Sequence, residues 1–164
     1  MGRFERTELE EALRNYNAVV DKCSETGDWS PFADLFTEDV EYIEHAYGIF
    51  HGREEVRGWI VDVMAPFPHM RFEHHWTAFD ETNDAIVVGI SNVLDHPTDP
   101  NAHFGFPNVT RIVYAGNGLF SSEEDIYNPV RDAPRVVGEW AKAGGTFRTA
   151  PIREMKHIAA PRAD

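Results

Sequence analysis

Between residues 5 and 25 the apolar positions Leu9, Ala12, Leu13, Tyr16, Val19, Val20 and Cys23 recur at spacings of three and four. On a 3.6-residue turn they share one face, so the stretch predicts an amphipathic helix, which Gly27-Asp28 ends. Pro31–Phe36 reads as a short helical turn with proline at a helix-start position. Thr37-Glu38-Asp39 is a polar turn into Val40–His45, which alternates as a strand does, and Gly48 and Gly52 bracket a further turn. Helical period returns over Arg53–Met64, with Val56, Trp59, Ile60 and Val63 on one face, until Pro66 stops it. Beyond Pro68 the pattern is that of strands: Met70–Phe79, Ala85–Leu94, Asn108–Tyr114 and Leu119–Tyr127. Two turns join them, Asp80–Asp84 and Ala115–Gly118, and the Asn-Gly of the second is a hairpin signal. Asp95–Pro107, with three prolines and Gly105, predicts an ordered loop or lid. Asp132–Ala143 is a last helix ending at Gly144-Gly145. Helices followed by a run of antiparallel strands predict an α+β fold with helices on one face of a sheet.

At 164 residues the chain predicts one domain, 1–144, followed by a C-terminal extension, 145–164. With 42% hydrophobic and 12% aromatic residues it can bury a core and is not a disordered chain. Fifteen Lys and Arg against 28 Asp and Glu leave a net charge of −13, which repels phosphate backbones and anionic lipid and argues against nucleic-acid or membrane-surface partners. The charge divides unevenly, −15 over residues 1–144 and +2 over the extension, so the tail is expected to lie across its own surface or a neighbour's. No apolar run approaches the ~20 residues of a membrane span, and no basic start leads into an apolar segment, so a cytoplasmic location is expected. The single cysteine, Cys23, excludes an internal disulfide and sits on the buried helix face as an inert core residue.

The order of these elements and their punctuation resemble the nuclear transport factor 2-like superfamily, in its SnoaL-like and ketosteroid isomerase-like branch. The residues that carry the likeness are Gly27-Asp28-Trp29, Phe36–Val40, Tyr42–His45, His51–Val56 and Tyr114–Gly118, and it covers residues 5 to 143. The resemblance implies a cone-shaped, strongly curved, mostly antiparallel sheet with the N-terminal helices on its concave face. It implies a deep pocket closed by those helices, and a homodimer through the outer sheet face. The superfamily hosts isomerases, cyclases, dehydratases, epoxide hydrolases and binding modules, so the fold does not decide the activity.

By that resemblance His45 stands where the isomerase branch has its proton-shuttling aspartate. An imidazole suits acid–base work near neutrality, though a histidine there also fits a satisfied core position. Strand alternation puts Glu123, Asp125 and Tyr127 on one face, the one that by resemblance faces the pocket. Two carboxylates at i and i+2 repel, so at least one pKa rises unless a cation lies between them, for which His45 and Arg111 are the candidates. Asp125 matches the late-strand acid of SnoaL-type cyclases, as a catalytic group or as the orienter of His45. Tyr16 falls on the inward face of the first helix, where the isomerase branch has an oxyanion-stabilising tyrosine. The linker to Gly27 is about one helical turn longer here, which leaves Tyr16 or Val20 for that place. The branch's second oxyanion donor maps to Thr110, a hydrogen-bond donor but no strong acid. Trp59 and Trp76, with Phe104 and Phe106 in the long loop, are the aromatic candidates for substrate contact.

Adjacent His74 and His75 on a strand face opposite ways, and no metal-ligand spacing occurs; His45, Asp125 and Glu123 are the one set that geometry would allow a divalent ion. No metal is expected, and without a phosphate-cradling loop or dinucleotide fingerprint no organic cofactor is expected either. The leading expectation is an acid–base enzyme of isomerase, cyclase or dehydratase type acting on a small, apolar, oxygenated cyclic molecule. His45 would be the base, Asp125 its orienter or partner acid, and Tyr16 or Thr110 the donor. The alternatives are a non-catalytic ligand-binding or assembly module and an accessory subunit of an oxygenase.

Overall fold

The apolar stripe at the start of the chain forms helix α1, Arg6–Thr26, and buries Leu9, Ala12, Leu13, Tyr16, Val20 and Cys23. Gly27, at φ 76°, ends it in the left-handed conformation and returns its N–H to the Cys23 carbonyl at 2.8 Å. The computed structural model describes residues 2–155. A short 3-10 helix, Ser30–Leu35, leads into β1, Phe36–Glu44. The segment read as a turn between Gly48 and Gly52 is instead a strand, β2 (Gly48–His51), because Tyr42, Ile43 and Glu44 pair with Phe50, Ile49 and Gly48 in a tight hairpin. Helix α2, Arg53–Met64, follows. Then come β3 (Arg71–Asp80), β4 (Ala85–Asp95), β5 (His103–Gly116), β6 (Leu119–Ile126) and helix α3 (Asp132–Lys142).

The six strands form one mixed sheet in the order β2-β1-β6-β5-β4-β3, antiparallel except for the parallel pair β1–β6. The architecture is the α+β one expected, with an open sheet. Its main core joins α1, the 3-10 helix and α2 to one sheet face through Phe32, Phe36, Val40, Trp59, Ile86 and Phe120.

The long loop expected over Asp95–Pro107 shrinks to residues 96–102, since Asn92, Val93 and Leu94 pair with Phe106, Gly105 and Phe104. β6 ends at Ile126, opposite Val109, so Pro107 lies where β5 has a strand on one side only and its missing donor interrupts no two-sided ladder. Helix α3 covers this stretch, with Ala133 and Val136 packed on Phe106.

The described part of the extension lies across its own domain. Phe147 packs on Trp140 and Phe67, at ring separations of 5.4 and 6.4 Å, and the Arg148 N–H donates to the Pro66 carbonyl at 2.7 Å. Arg153 Nε reaches Asp62 Oδ2 at 2.9 Å over Gly58, which lacks a side chain one turn earlier on α2. The remainder of the extension, beyond Met155, lies outside the described residues. No helix among the described residues is long and apolar enough to cross a membrane.

Candidate active site

The parallel register of β1 and β6 sets Tyr42 beside Glu123 and Glu44 beside Asp125. With a period of two, all four side chains fall on the sheet face that meets α1. Helix α1 brings Tyr16 over them, and β5 supplies Thr110, opposite Asp125 in register, and Asn108. The Tyr16 hydroxyl lies 2.9 and 3.1 Å from the two oxygens of Glu123. The Tyr42 hydroxyl lies 2.9 Å from Glu123 Oε1 and 2.6 Å from Asp125 Oδ2, so it bridges the two carboxyls. Thr110 Oγ1 donates to Asp125 Oδ1 at 2.6 Å and Asn108 Nδ2 donates to the same oxygen at 3.3 Å.

A proton count gives the charge of this chain. Three links, Tyr16 to Glu123, Glu123 to Tyr42 and Tyr42 to Asp125, each need a proton, and the two phenols supply two. The third belongs to a carboxyl. The 2.6 Å link has the length of a charge-assisted O–H···O⁻ bond, so Asp125 is the anion, and Glu123 keeps its proton and donates it to the Tyr42 oxygen. Glu123 is 1% exposed, and burial, then the neighbouring Asp125 charge, push its pKa well above the usual carboxylate range. Burial also raises Asp125, against the pull of its bonds from Thr110, Tyr42 and Asn108. Burial first, then the two carboxyls, push Tyr16 and Tyr42 well above the usual phenol value, so both phenols hold their protons.

Glu44 is a third buried acid, 3% exposed, whose Oε2 accepts the backbone N–H groups of Ala46 and Tyr47 at 2.7 Å each. Burial raises its pKa, opposed by the Tyr127 phenol that faces it and by those two backbone donors. The Tyr127 hydroxyl is itself pushed up, by burial before the Glu44 charge.

These groups open on a cavity of ≈ 930 Å³ bounded by α1, α2, the sheet and the tail. Tyr16, Trp59, Phe106, Thr110, Glu123, Asp125 and Tyr127, seven of the residues singled out from the sequence, line it together. Val20 lines it too, but Tyr16 is the one that reaches a carboxyl. Among the described residues, three lining side chains hold a buried polar atom with no partner: Trp59 Nε1, Asn92 Oδ1 and Asn108 Oδ1.

Four residues singled out from the sequence lie elsewhere. His45 follows the end of β1 with outward parity; its side chain is 48% exposed and Nε2 meets Glu124 Oε1 at 2.9 Å, so the expected His45–Asp125 pair is not formed. The His45 charge reaches Asp125 only as the least of the influences on it. Arg111 pairs in register with Glu124, on the face opposite Asp125, so neither candidate cation stands between Glu123 and Asp125. Trp76 is turned outward by a bulge after His74: the extra residue shifts it opposite Gly89, and plain alternation no longer holds. It lies over that glycine, where a Cβ would fall 2.1 Å from the ring. Phe104 stacks on His96 at 5.5 Å, outside the cavity lining.

Tyr42, Glu44 and Asn108 are the site residues that the sequence reading passed over. The signal for the first two was parity, since they alternate with Val40 on β1. Asn108 shares its strand face with Thr110. Among the described residues no group of three His, Cys, Asp or Glu side chains is arranged to hold a metal ion.

The SnoaL-like domain family model matches residues 14–120, so the chain belongs to that family. No curated protein matches in sequence. Among solved structures, a nuclear transport factor 2-like protein from Anabaena variabilis superposes with a TM-score of 0.62 at 12% identity, covering 80% of this chain and 98% of that one. A Mycobacterium tuberculosis LEH-like epoxide hydrolase gives 0.61 at 13% identity, covering 84% and 94%. A steroid delta-isomerase from Pseudomonas aeruginosa gives 0.56 at 13% identity, covering 87% and 94%. At these identities the likeness is one of fold.

Proposed function

We propose that this SnoaL-like protein is an acid–base enzyme acting on a small cyclic substrate with oxygen functions, with Asp125 as the base in place of the His45 expected from the sequence. One observation carries the reading: the buried Glu123 carboxyl and the part-buried Asp125 carboxyl share the Tyr42 phenol at the wall of a largely apolar cavity, with no cation beside them among the described residues. A base must be ionised at working pH and still basic, and burial makes Asp125 more basic while three donors keep it charged. Asp125 would take a proton from a carbon next to a carbonyl and return it to the substrate, as isomerisation, cyclisation and dehydration all require. Trp59 Nε1, the lining donor without a partner, would hold the oxygen on which charge develops; Tyr16 is already committed to Glu123. Protonated Glu123 would support Asp125 through Tyr42 without touching substrate. That structural neighbours include an isomerase and an epoxide hydrolase agrees with such chemistry on this fold. We also propose a homodimer through the outer sheet face, where Trp76 and Ile126 stand about half exposed.

The test is exchange of α-protons for deuterium in a panel of cyclic ketones, followed by NMR, with wild type and Asp125→Asn. Exchange above buffer background that Asp125→Asn lowers by at least about 10²-fold is expected. Ketones that bind without exchange would leave a ligand-binding module as the better account.

A further inference from the structure

Among the described residues the acids of the cavity outnumber its bases. Asp125 and Glu44 stand inside it beside the protonated Glu123, and Asp21, Asp62 and Glu154 edge it. Among the described residues, the basic side chains that line it are already engaged, Arg153 with Asp62 at 2.9 Å and His74 with Thr77 at 2.8 Å. A neutral molecule gains nothing from such a field, an anion is repelled by it, and a cation is drawn in.

The polar atoms without partners point the same way. Asn108 is 4% exposed, and because its Nδ2 is held by Asp125 the amide is oriented with Oδ1 as its free end. Asn92 Oδ1 also has no partner, and the register that pairs Ile90 with Asn108 puts Asn92 one step along on the same face. Two amide oxygens and an anionic carboxyl form a wall of acceptors, and acceptors left buried and unpaired are satisfied only by donors. A hydroxyl brings one proton to such a wall, whereas an ammonium group brings up to three and a charge. The rest of the cavity suits the body of such a molecule: eleven of its lining residues are Phe, Tyr or Trp, which take apolar rings and attract cations at their faces. On α2, Trp59, 4% exposed, keeps Nε1 unpartnered and asks for an oxygen.

We propose that the molecule this cavity takes is a cyclic amine, protonated at the nitrogen, that also carries an oxygen: the nitrogen sits at the Asn92–Asn108–Asp125 wall and the oxygen at Trp59. The inference rests on the proposed reading of the cavity as a small-molecule site and names the charge of what enters it.

The experiment compares three probes that share one ring skeleton, 2-aminotetralin, 2-tetralol and tetralin-2-carboxylate, by isothermal titration calorimetry at pH 7 on the full chain. The amine is expected to bind at least about tenfold more tightly than the alcohol, the factor of a single charge-assisted contact, with the carboxylate weakest. Asn108→Leu, checked for fold by circular dichroism, should bring the amine-to-alcohol ratio toward one. Alcohol binding as tight as the amine, carboxylate binding tighter than either, or no amine binding at millimolar concentration would overturn the proposal. Deuterium exchange into 2-tetralone is measured beside it. Exchange without amine preference removes this inference and leaves the acid–base reading; amine preference without exchange does the reverse.

Discussion

Replacing Tyr42 with Phe deletes one oxygen and tests the proton count directly. The phenol links Glu123 and Asp125 at 2.9 and 2.6 Å, and its loss leaves Asp125 Oδ2 without a donor while Oδ1 keeps Thr110 and Asn108. A hydrogen bond to a charged group contributes about 1.5–3 kcal/mol and one between neutral groups about 1 kcal/mol, so a deficit of about 2–4 kcal/mol is expected at pH 8.5, where Asp125 is ionised. The sign with pH follows from the Tyr42 bond to Asp125, which lowers the pKa of that carboxyl, so removing it raises Asp125 further. An acid whose folded pKa is raised contributes stability that is lost as pH rises through that value, so the deficit of the variant widens with pH above the ordinary carboxylate range. At pH 5.5 Asp125 can take up a proton in the variant, and the deficit should shrink by about 1 kcal/mol or more. Urea unfolding followed by tryptophan fluorescence measures it, because Trp29, Trp59 and Trp140 are buried and Trp59 lies 4.8 Å from the Tyr42 ring. Other titrating groups cancel in the difference from wild type. A deficit equal at the two pH values, or larger at pH 5.5, would refute the assignment of one shared proton to this chain.

Glu123→Gln replaces a neutral acid by a neutral amide, so stability at pH 5.5 should stay within about 1 kcal/mol of wild type. At pH 8.5 the variant should be the more stable of the two, because the raised acid no longer weakens the fold as pH rises; a clear loss at both values would mean that Glu123 is ionised. His45→Ala removes an exposed side chain paired with Glu124 and should change stability by under about 0.5 kcal/mol and leave ligand affinity unaltered. A loss of several kcal/mol, or of affinity, would return His45 to the cavity. Cys23 is 1% exposed and its thiol is pushed up to about 11 by burial, so Ellman's reagent should leave the native protein unmodified and label one thiol in denaturant. Rapid labelling of the folded chain would place Cys23 outside the core.

Much of this architecture was legible because it rests on period. The 3.6-residue stripe of α1 and the alternation along β6 depend on residues next to one another, and both carried through to Tyr16, Glu123 and Asp125 in one site. What failed was governed by pairings distant in sequence. A bulge at His75 reversed the side on which Trp76 emerges, and no local pattern announces an extra residue. Strand β5 ran through Gly105 and Pro107 because β4 reached far enough to pair with it, which overrode their turn preference. His45 was read as inward from a resemblance, although parity with Val40 and Tyr42 already put Glu44 on that face and His45 on the other. The local periodic rule was the better guide there, since a register of one residue turns every side chain over.

The same parity explains how the fold tolerates three acids on one buried surface. An arginine between Glu123 and Asp125 would hold both as anions and lower both pKa values, giving an inert structural ion pair. Phenols act differently, because each donates one proton, keeps it at any pH the protein meets, and shields a carboxyl without neutralising it. With two phenols among two carboxyls the network is one proton short, and that proton must stay on an acid. The arrangement therefore carries a single negative charge at Asp125, buried enough to be basic and bonded enough to persist. A substrate proton taken up there would remove that charge and slacken the 2.6 Å bond to Tyr42, and returning it would restore both, so the resting state favours giving the proton back. A site that only bound its ligand would need neither the proton deficit nor the raised basicity, and substituting Glu123 or Tyr42 in it would alter stability alone.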